Sequence, residues 1–535
     1  MRIRTRKNLK KKNLAIVFLF LLPIIGFAGY AALVLKIIND MASFTFKLDP
    51  PETDFFYDKE DINMTILAEM AQTFETRWEL YHSPTNISVD SIFTDHNYDT
   101  VQEYVPTDNG GQWTGMMLAA ECLRYKTAKN ERDDDEKAHS IKLIRHMTTC
   151  FSNFLAAPNG GIGPDFPGIP ARFVAAPNEK DIFPFMFEDE YIHFNGTGDY
   201  KNWRVRLSTS FDEMAGYIMG LGSVLKFVNP ADGNTAKWCY ERTRLLVAQL
   251  IEGFKKTNWL MITGDGTPCG TNLNAFFGSG GTWKLAFLKM GALAYPEKYT
   301  SDYNYIASKE MNINQAAEGS SWNVIMDYYA LTNTVCLQYA MIILEDDPKL
   351  QLYYIKQYES VVYDICKYHR NAFVNIAHLT FMSLLDSKVR KQFENPKYDD
   401  NDVKWDVLDQ LWRFHTSGWY PIRNYNLTQR PHSTRSTSLN SEIRKREIDP
   451  TPQKWRDYFE NNIFGHLYSW VDIEFDFEDH YIVPVSVSEM GISSLVWESN
   501  PFYGDGGDPS GNGLKENTGM SYTIIYWMGR AFEIF

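Results

Sequence analysis

From about Asp61 onward, apolar residues return every three or four positions, and polar or charged clusters interrupt them. The period predicts helices near 61–82, 111–128, 134–155, 210–228, 233–256, 282–294, 322–345, 347–370, 372–385, 403–416 and 453–469. Period-two alternation is sparse: short extended pieces are expected at Trp259–Thr263 and in "HYIVPVSV". The C-terminal "YTIIYWMGRAFEIF" reads as a last helix or strand. Short loops join consecutive helices in pairs. "WTGMMLAAECLRY…HSIKLIRHMTTCFSNFL" turns at the charged "KNERDDDEK", and a second pair turns at "EDDP", where Pro348 suits a first helical turn. Antiparallel pairs filling residues 61–535 predict an all-α fold, an (α/α)6-type toroid. A helical solenoid and two helical bundles are the rivals, and the lack of a fixed-period repeat weakens the solenoid.

The N-terminus has a different pattern. Residues 1–13, "MRIRTRKNLKKKN", hold seven Lys or Arg and no acid, and an uncharged apolar run follows from Leu14 to Leu35. At 1.5 Å per residue that run spans about 33 Å, one hydrocarbon core. Residues 14–36 are therefore expected to form a transmembrane anchor, with the basic tail cytoplasmic and the main domain extracellular or lumenal. A cleaved signal peptide is the alternative, although its apolar region would normally be about 7–15 residues. Residues 37–60 read as a stalk, and the Ser/Thr/Arg-rich stretch 427–452 as a flexible surface loop. Sequons at Asn63, Asn86, Asn195 and Asn426 permit glycosylation in that topology.

Charge narrows the partners. The net charge is −14 and the first twelve residues contribute +7, so the remainder carries −21. Such a domain lacks the basic footprint that nucleic acid needs, and a highly anionic polysaccharide requires a local basic pocket. The six cysteines are far apart and show no metal spacing, which favours core thiols over disulfides. No H-E-x-x-H, P-loop or G-x-S-x-G occurs. The twelve positions from Asp505 to Glu516 match an EF-hand loop in length, but Gly507 and Pro509 stand where oxygen ligands belong. No metal or cofactor is expected.

Candidate chemistry begins at "TSFDEMAGYIMGLG", where Asp212 and Glu213 open an apolar, glycine-dotted helix. Ser210-x-x-Glu213 reads as a capping box, which accounts for Glu213 and not for Asp212. Below Asp212 the helical stripe is Gly216, Gly220 and Ser223. Either that stripe admits a neighbouring helix, leaving Asp212 a first-turn acid, or it floors a cavity beneath Asp212. Polar, glycine-containing loops elsewhere supply Asp108 before Trp113, Asp165 and Arg172, Asp265, the group Arg413, His415, Trp419 and Arg423, and a long tail loop with Trp497 and Asp505. Lone histidines such as His193 and His415 read as structural.

"DNGGQWTGMMLAAECLRY", "GIPARF", "STSFDEMAGYIMGL", "TGDGTPCGTNLN" and "NPFYGDGG…YWMGRAF", in that order, resemble a group of exported or membrane-anchored (α/α)-toroid proteins similar to six-hairpin glycosidase-like domains. The resemblance covers most of residues 100–535. Asp108, Trp113, Asp212 and Glu213 match its D-x-G-L-W and S-x-D-E positions, while Gln112 departs from the aliphatic residue. It implies the toroid, a class that includes glycoside hydrolases, polysaccharide lyases and uronyl epimerases.

The abundance of aromatics, 15% of residues, suits stacking on sugar faces. The expectation is a surface glycoside hydrolase with Asp212 as base and Asp108 or Asp265 as partner, and with Trp113, Arg172, Trp419, Trp497 and Asp505 binding a carbohydrate. A non-catalytic glycan- or protein-binding ectodomain is the alternative. So is a lyase or epimerase, in which Arg172, His193 or Arg423 would act on a uronate. Asp108, Asp212 and the Trp497–Asp508 loop are expected at one cavity mouth, with Gly216 and Gly220 as its floor and Trp113 or Trp497 as a stacking face.

Overall fold

The computed structural model describes residues 56–107, 109–188, 193–263, 266–273, 280–308, 328–414, 494–502 and 513–535, with isolated positions at 29, 49–51, 484, 486, 487 and 490. The expected tail 1–13, the anchor 14–36 apart from Gly29, most of the stalk 37–60, the loop 427–452 and the helix 453–469 lie outside them. Among the described residues no helix is long and apolar enough to cross a membrane. The chain divides into residues 1–47 and residues 48–535, and every labelled element belongs to the second unit.

The fold is all-α, with a few short strands. Its main helices are α1 (Met64–Arg77), α2 (Gly110–Glu131), α3 (Asp134–Asn159), α4 (Phe211–Phe227), α5 (Asn234–Lys256) and α6 (Gly280–Ala294). They continue as α7 (Pro296–Ala307), α8 (Tyr328–Leu344), α9 (Pro348–Gln357), α10 (Ala372–Ser383), α11 (Asp400–Arg413) and α12 (Met520–Ala531). Most boundaries fall within a few residues of those the apolar period predicts. α7 was not anticipated, because "PEKYTSDYNYIA" keeps only Tyr299, Tyr303 and Ala307 buried on one narrow stripe. The C-terminal segment is a helix, and Leu260–Ile262 is a strand paired with Pro268–Asn272.

Two kinds of helix alternate along the chain. α3 buries Leu143, Ile144, Met147, Cys150, Phe151 and Phe154 on one face and exposes charge on the other, as an amphipathic surface helix does. α2, α4, α8, α10 and α12 are buried nearly all round. α2 packs on α4, α4 on α6 and α8, α8 on α6 and α10, α10 on α12, and α12 returns onto α2. The amphipathic partners lie against these: α3 on α2, α7 on α6, α9 on α8, α11 on α10, and α1 on α12.

The α2–α4 contact is the tightest. A Cβ added to Gly115 would lie 2.1 Å from the Gly216 carbonyl oxygen, one on Gly216 would lie 2.3 Å from that of Gly111, and one on Gly220 would lie 2.7 Å from that of Gly115. These distances permit glycine alone, so backbone touches backbone. Gly111 meets Gly216 and Gly115 meets Gly220, so the two helices run in the same sense and begin side by side. This overturns the cavity floor expected of Gly216 and Gly220: the stripe is a helix–helix seam, the alternative that makes Asp212 a first-turn acid, so the stripe gives no support to a site at Asp212.

Candidate functional site

The capping box at the start of α4 does not form. Ser210 makes no side-chain cap, and the Glu213 Oε2 accepts the Gly111 N–H of the adjacent helix at 2.9 Å. Asn109, the N-cap of α2, offers no side-chain cap of its own. Glu213 is fully buried and serves α2 in its place, satisfying one of the amides that a helix start leaves open. The seam explains the exchange: parallel helices in backbone contact put the first turn of one within reach of a side chain on the other.

Ser210 is thereby released to the site. Its hydroxyl accepts a hydrogen bond from Arg172 Nη2 at 2.7 Å and donates to Asp212 Oδ2 at 3.1 Å. Arg172 itself is fixed by its backbone N–H to the Arg206 carbonyl at 2.9 Å, and the Tyr217 hydroxyl of α4 holds the preceding carbonyl, Ala171, at 3.0 Å. The other Asp212 oxygen, Oδ1, accepts from the Asn333 amide of α8. Both oxygens of Asp212 therefore accept hydrogen bonds.

The polar chain continues across the helix starts. Gln112 Nε2 of α2 donates to Asn333 Oδ1 at 3.2 Å and to Glu498 Oε1 at 2.7 Å. Glu498 ends a short 3-10 turn, Val496–Glu498, and its backbone is held from three helices. The Trp497 carbonyl accepts from Asn371 Nδ2 at 2.9 Å, just before α10, and from Thr332 Oγ1 of α8 at 3.3 Å. Ser521 of α12 receives the Val496 N–H on its hydroxyl at 3.0 Å and the Trp497 indole N–H on its carbonyl at 2.7 Å. Arg172, Ser210, Asp212, Asn333, Gln112 and Glu498 thus form one hydrogen-bonded line over the N-terminal ends of α2, α4 and α8.

The two carboxyls of this line have different surroundings. Burial, and next the charge of Asp212, push the Glu498 carboxyl well above the usual carboxylate range, and the Gln112 hydrogen bond offsets only part of this. Glu498 is only partly buried as a residue, though its carboxyl is enclosed among packed atoms. Oε1 is taken by Gln112, and Oε2 has no hydrogen-bond partner among the described residues. Two further atoms at the site, Gln112 Oε1 and Arg172 Nε, are buried without a hydrogen-bond partner among the described residues.

The structure brings together Asp212 and Arg172 of the expected site residues and joins Asp212 to the loop that starts at Trp497. Asp108, Asp265, Trp419, Asp505, His415 and Arg423 lie outside the described residues. Neither tryptophan offers an open stacking face. Trp497 is fully buried with its indole N–H committed to Ser521, and Trp113 is 6% exposed inside α2. His193 is buried in a strand, and Asp165 is exposed in its loop. Glu498, Gln112 and Asn333 were missed by sequence reasoning. A signal existed for Asn333, which sits in "LTNTV", a polar interruption of an apolar helix. For Glu498 the signal was its place between Trp497 and Phe502 at the head of the glycine-rich loop. Comparison of the chain with protein-family models, curated proteins and solved structures found no match.

Proposed function

We propose that this chain is a glycan-processing enzyme, a glycoside hydrolase that uses Asp212 as base or nucleophile and Glu498 as proton donor. One observation carries the reading: two carboxyls of one polar chain meet different surroundings, Asp212 accepting from Ser210 and Asn333 on its two oxygens and Glu498 pushed by burial towards its neutral form. Glycosidic hydrolysis needs such a pair. Glu498 Oε2 would give its proton to the leaving oxygen while Gln112 holds Oε1. Asp212 would take a proton from the attacking water, or attack the anomeric carbon itself. Gln112 and Asn333 lie between the two acids and keep them apart without adding charge.

The proposal includes the (α/α) toroid as architecture. Its support is the alternation of enclosed and amphipathic helices and the return of α12 onto α2. It also includes residues 14–36 as a membrane anchor, with the main domain outside or in a lumen, supported by the apolar run and its basic flank.

The test is release of reducing ends from a panel of purified glycans by the full-length chain. Asp212→Asn and Glu498→Gln should each lower turnover by about 10²–10⁴-fold, the range expected for loss of acid–base catalysis, with both variants still unfolding in one cooperative transition. Turnover that survives both substitutions removes the pair from the mechanism. A wild-type chain that binds glycans and cleaves none makes this a binding ectodomain.

A further inference from the structure

Among the described residues, Arg172 is a guanidinium without a direct counter-ion. Of its five N–H donors the structure engages one, from Nη2 to the neutral Ser210 hydroxyl. Nε is buried and unpaired, Nη1 has no partner among the described residues, and none of their carboxylates lies at ion-pair distance. The nearest anion on this line, Asp212, is reached only through Ser210. A hydroxyl needs no guanidinium to hold it, since a neutral amide would serve. A partly buried cation left with one neutral acceptor is costly unless something else completes its coordination. The planar fork of arginine matches the oxygens of a carboxylate or a sulfate. Across Asp212, the opposite end of the line presents a carboxyl pushed towards neutrality and the free acceptor Gln112 Oε1, which suit hydroxyl groups.

We propose that Arg172 receives an oxyanion substituent of the bound glycan, so that this site takes acidic sugars, uronate- or sulfate-bearing, rather than neutral ones. The inference rests on the Asp212–Glu498 line being the ligand site and names the substrate class of that site. The anion would occupy the Arg172 end, one hydroxyl away from Asp212, and the bond to be cleaved would lie between Asp212 and Glu498. The acidic remainder of the domain repels polyanions at long range, but that effect is screened beyond about 8–10 Å at physiological salt and does not reach a direct contact.

Binding separates this inference from turnover. Full-length Glu498→Gln chain is applied to an array of neutral, uronate-bearing and sulfated oligosaccharides, and the affinities of bound members are measured by calorimetry. Acidic members should be retained in preference to neutral ones, and the uronate and sulfate arms identify which oxyanion is recognised. Reducing the carboxyl of a bound uronate to the alcohol, or desulfating a bound sulfated glycan, should weaken binding by about tenfold or more. Arg172→Gln should weaken the acidic glycan by a similar factor and its neutral counterpart by much less. Arg172→Lys, which keeps the charge and loses the fork, should fall between. Equal affinity for the acidic glycan and its neutral counterpart overturns the proposal, as does retention of no acidic member. The carboxyl-reduction arm needs no Arg172 variant, so a misfolded Arg172→Gln chain does not weaken the test. Acidic glycans bound through Arg172 without release of reducing ends from the wild-type chain would sink the hydrolase reading and leave this one standing. Cleavage of neutral glycans alone would do the reverse.

Discussion

Glu213 and Glu498 are both enclosed carboxyls beside the start of α2, and their roles differ. Glu213 accepts a backbone N–H of α2, so its bond belongs to the scaffold. Glu498 accepts the Gln112 amide on Oε1, and its Oε2 has no hydrogen-bond partner among the described residues. A carboxyl whose folded pKa is raised adds stability that is fully present below the ordinary carboxylate range and is lost as pH rises through the raised value. Glu498→Gln removes that dependence. The melting temperature of the variant relative to wild type should therefore increase as pH rises through that window. If Glu498 is the proton donor, wild-type turnover should fall on the basic side through the same raised value, and the residual turnover of the variant should lack that limb. A stability difference that is flat with pH would show that the site does not hold the proton. The partner of Glu498 was beyond sequence reading because Gln112 meets it across 386 residues, and no local spacing encodes such a meeting. Asp212 was legible because a second acid at a helix start exceeded what one capping box could use.

The α2–α4 seam decides where these residues stand. Gly111 and Gly115 on one helix meet Gly216 and Gly220 on the other with no side chain between. Gly216→Ala would place a methyl group 2.3 Å from the Gly111 carbonyl oxygen and 2.4 Å from the Gln112 Cα, so the helices must separate. The expected cost is about 3 kcal/mol or more in urea unfolding, at the upper end for overpacking, because backbone cannot repack as side chains do. Separation would also strain the Asn333 bridge between Gln112 and Asp212, and turnover should drop even where the variant stays folded. Ala at Gly233, where nothing lies within 4 Å, is the control for backbone conformation, since that position has φ +135° and strains any side chain without a clash. If Gly216→Ala is no worse than Gly233→Ala, the seam is not the constraint. The helices themselves were plain from the apolar period, but the partner of a small-residue stripe was not. A stripe without side chains fits a cavity and a neighbouring backbone equally well, and only the glycines of α2 settle the matter here. The same proximity sends Glu213 to Gly111 instead of its own N-cap, so the Ser-x-x-Glu pattern located the helix start correctly and misassigned the bond.

On the scale of the whole second unit, the last helix connects the core to the candidate site. α12 packs on α1, α2 and α10. Its Trp527 indole donates to Glu75 of α1, and Glu75 pairs with Arg124 of α2 at 3.2 Å. At its other end Ser521 holds the residues just before Glu498 by two bonds, its hydroxyl accepting the Val496 backbone N–H and its carbonyl the Trp497 indole N–H. Ser521→Ala removes the first and keeps the second, so Trp497 stays in the core while the Val496 N–H loses its acceptor. The loss should be about 1–3 kcal/mol of stability, the usual result of leaving a buried donor unpaired. Trp527→Phe is the comparison. It breaks the Glu75 bond at the far end of the same helix and should cost a similar amount of stability. If the Glu498 turn is aligned from α12, Ser521→Ala should reduce kcat on a cleaved glycan several-fold more than Trp527→Phe does at matched stability, with KM little changed, because positioning acts on the transition state. Equal losses of kcat in the two variants would mean that α12 supports the fold as a whole and does not position the proton donor.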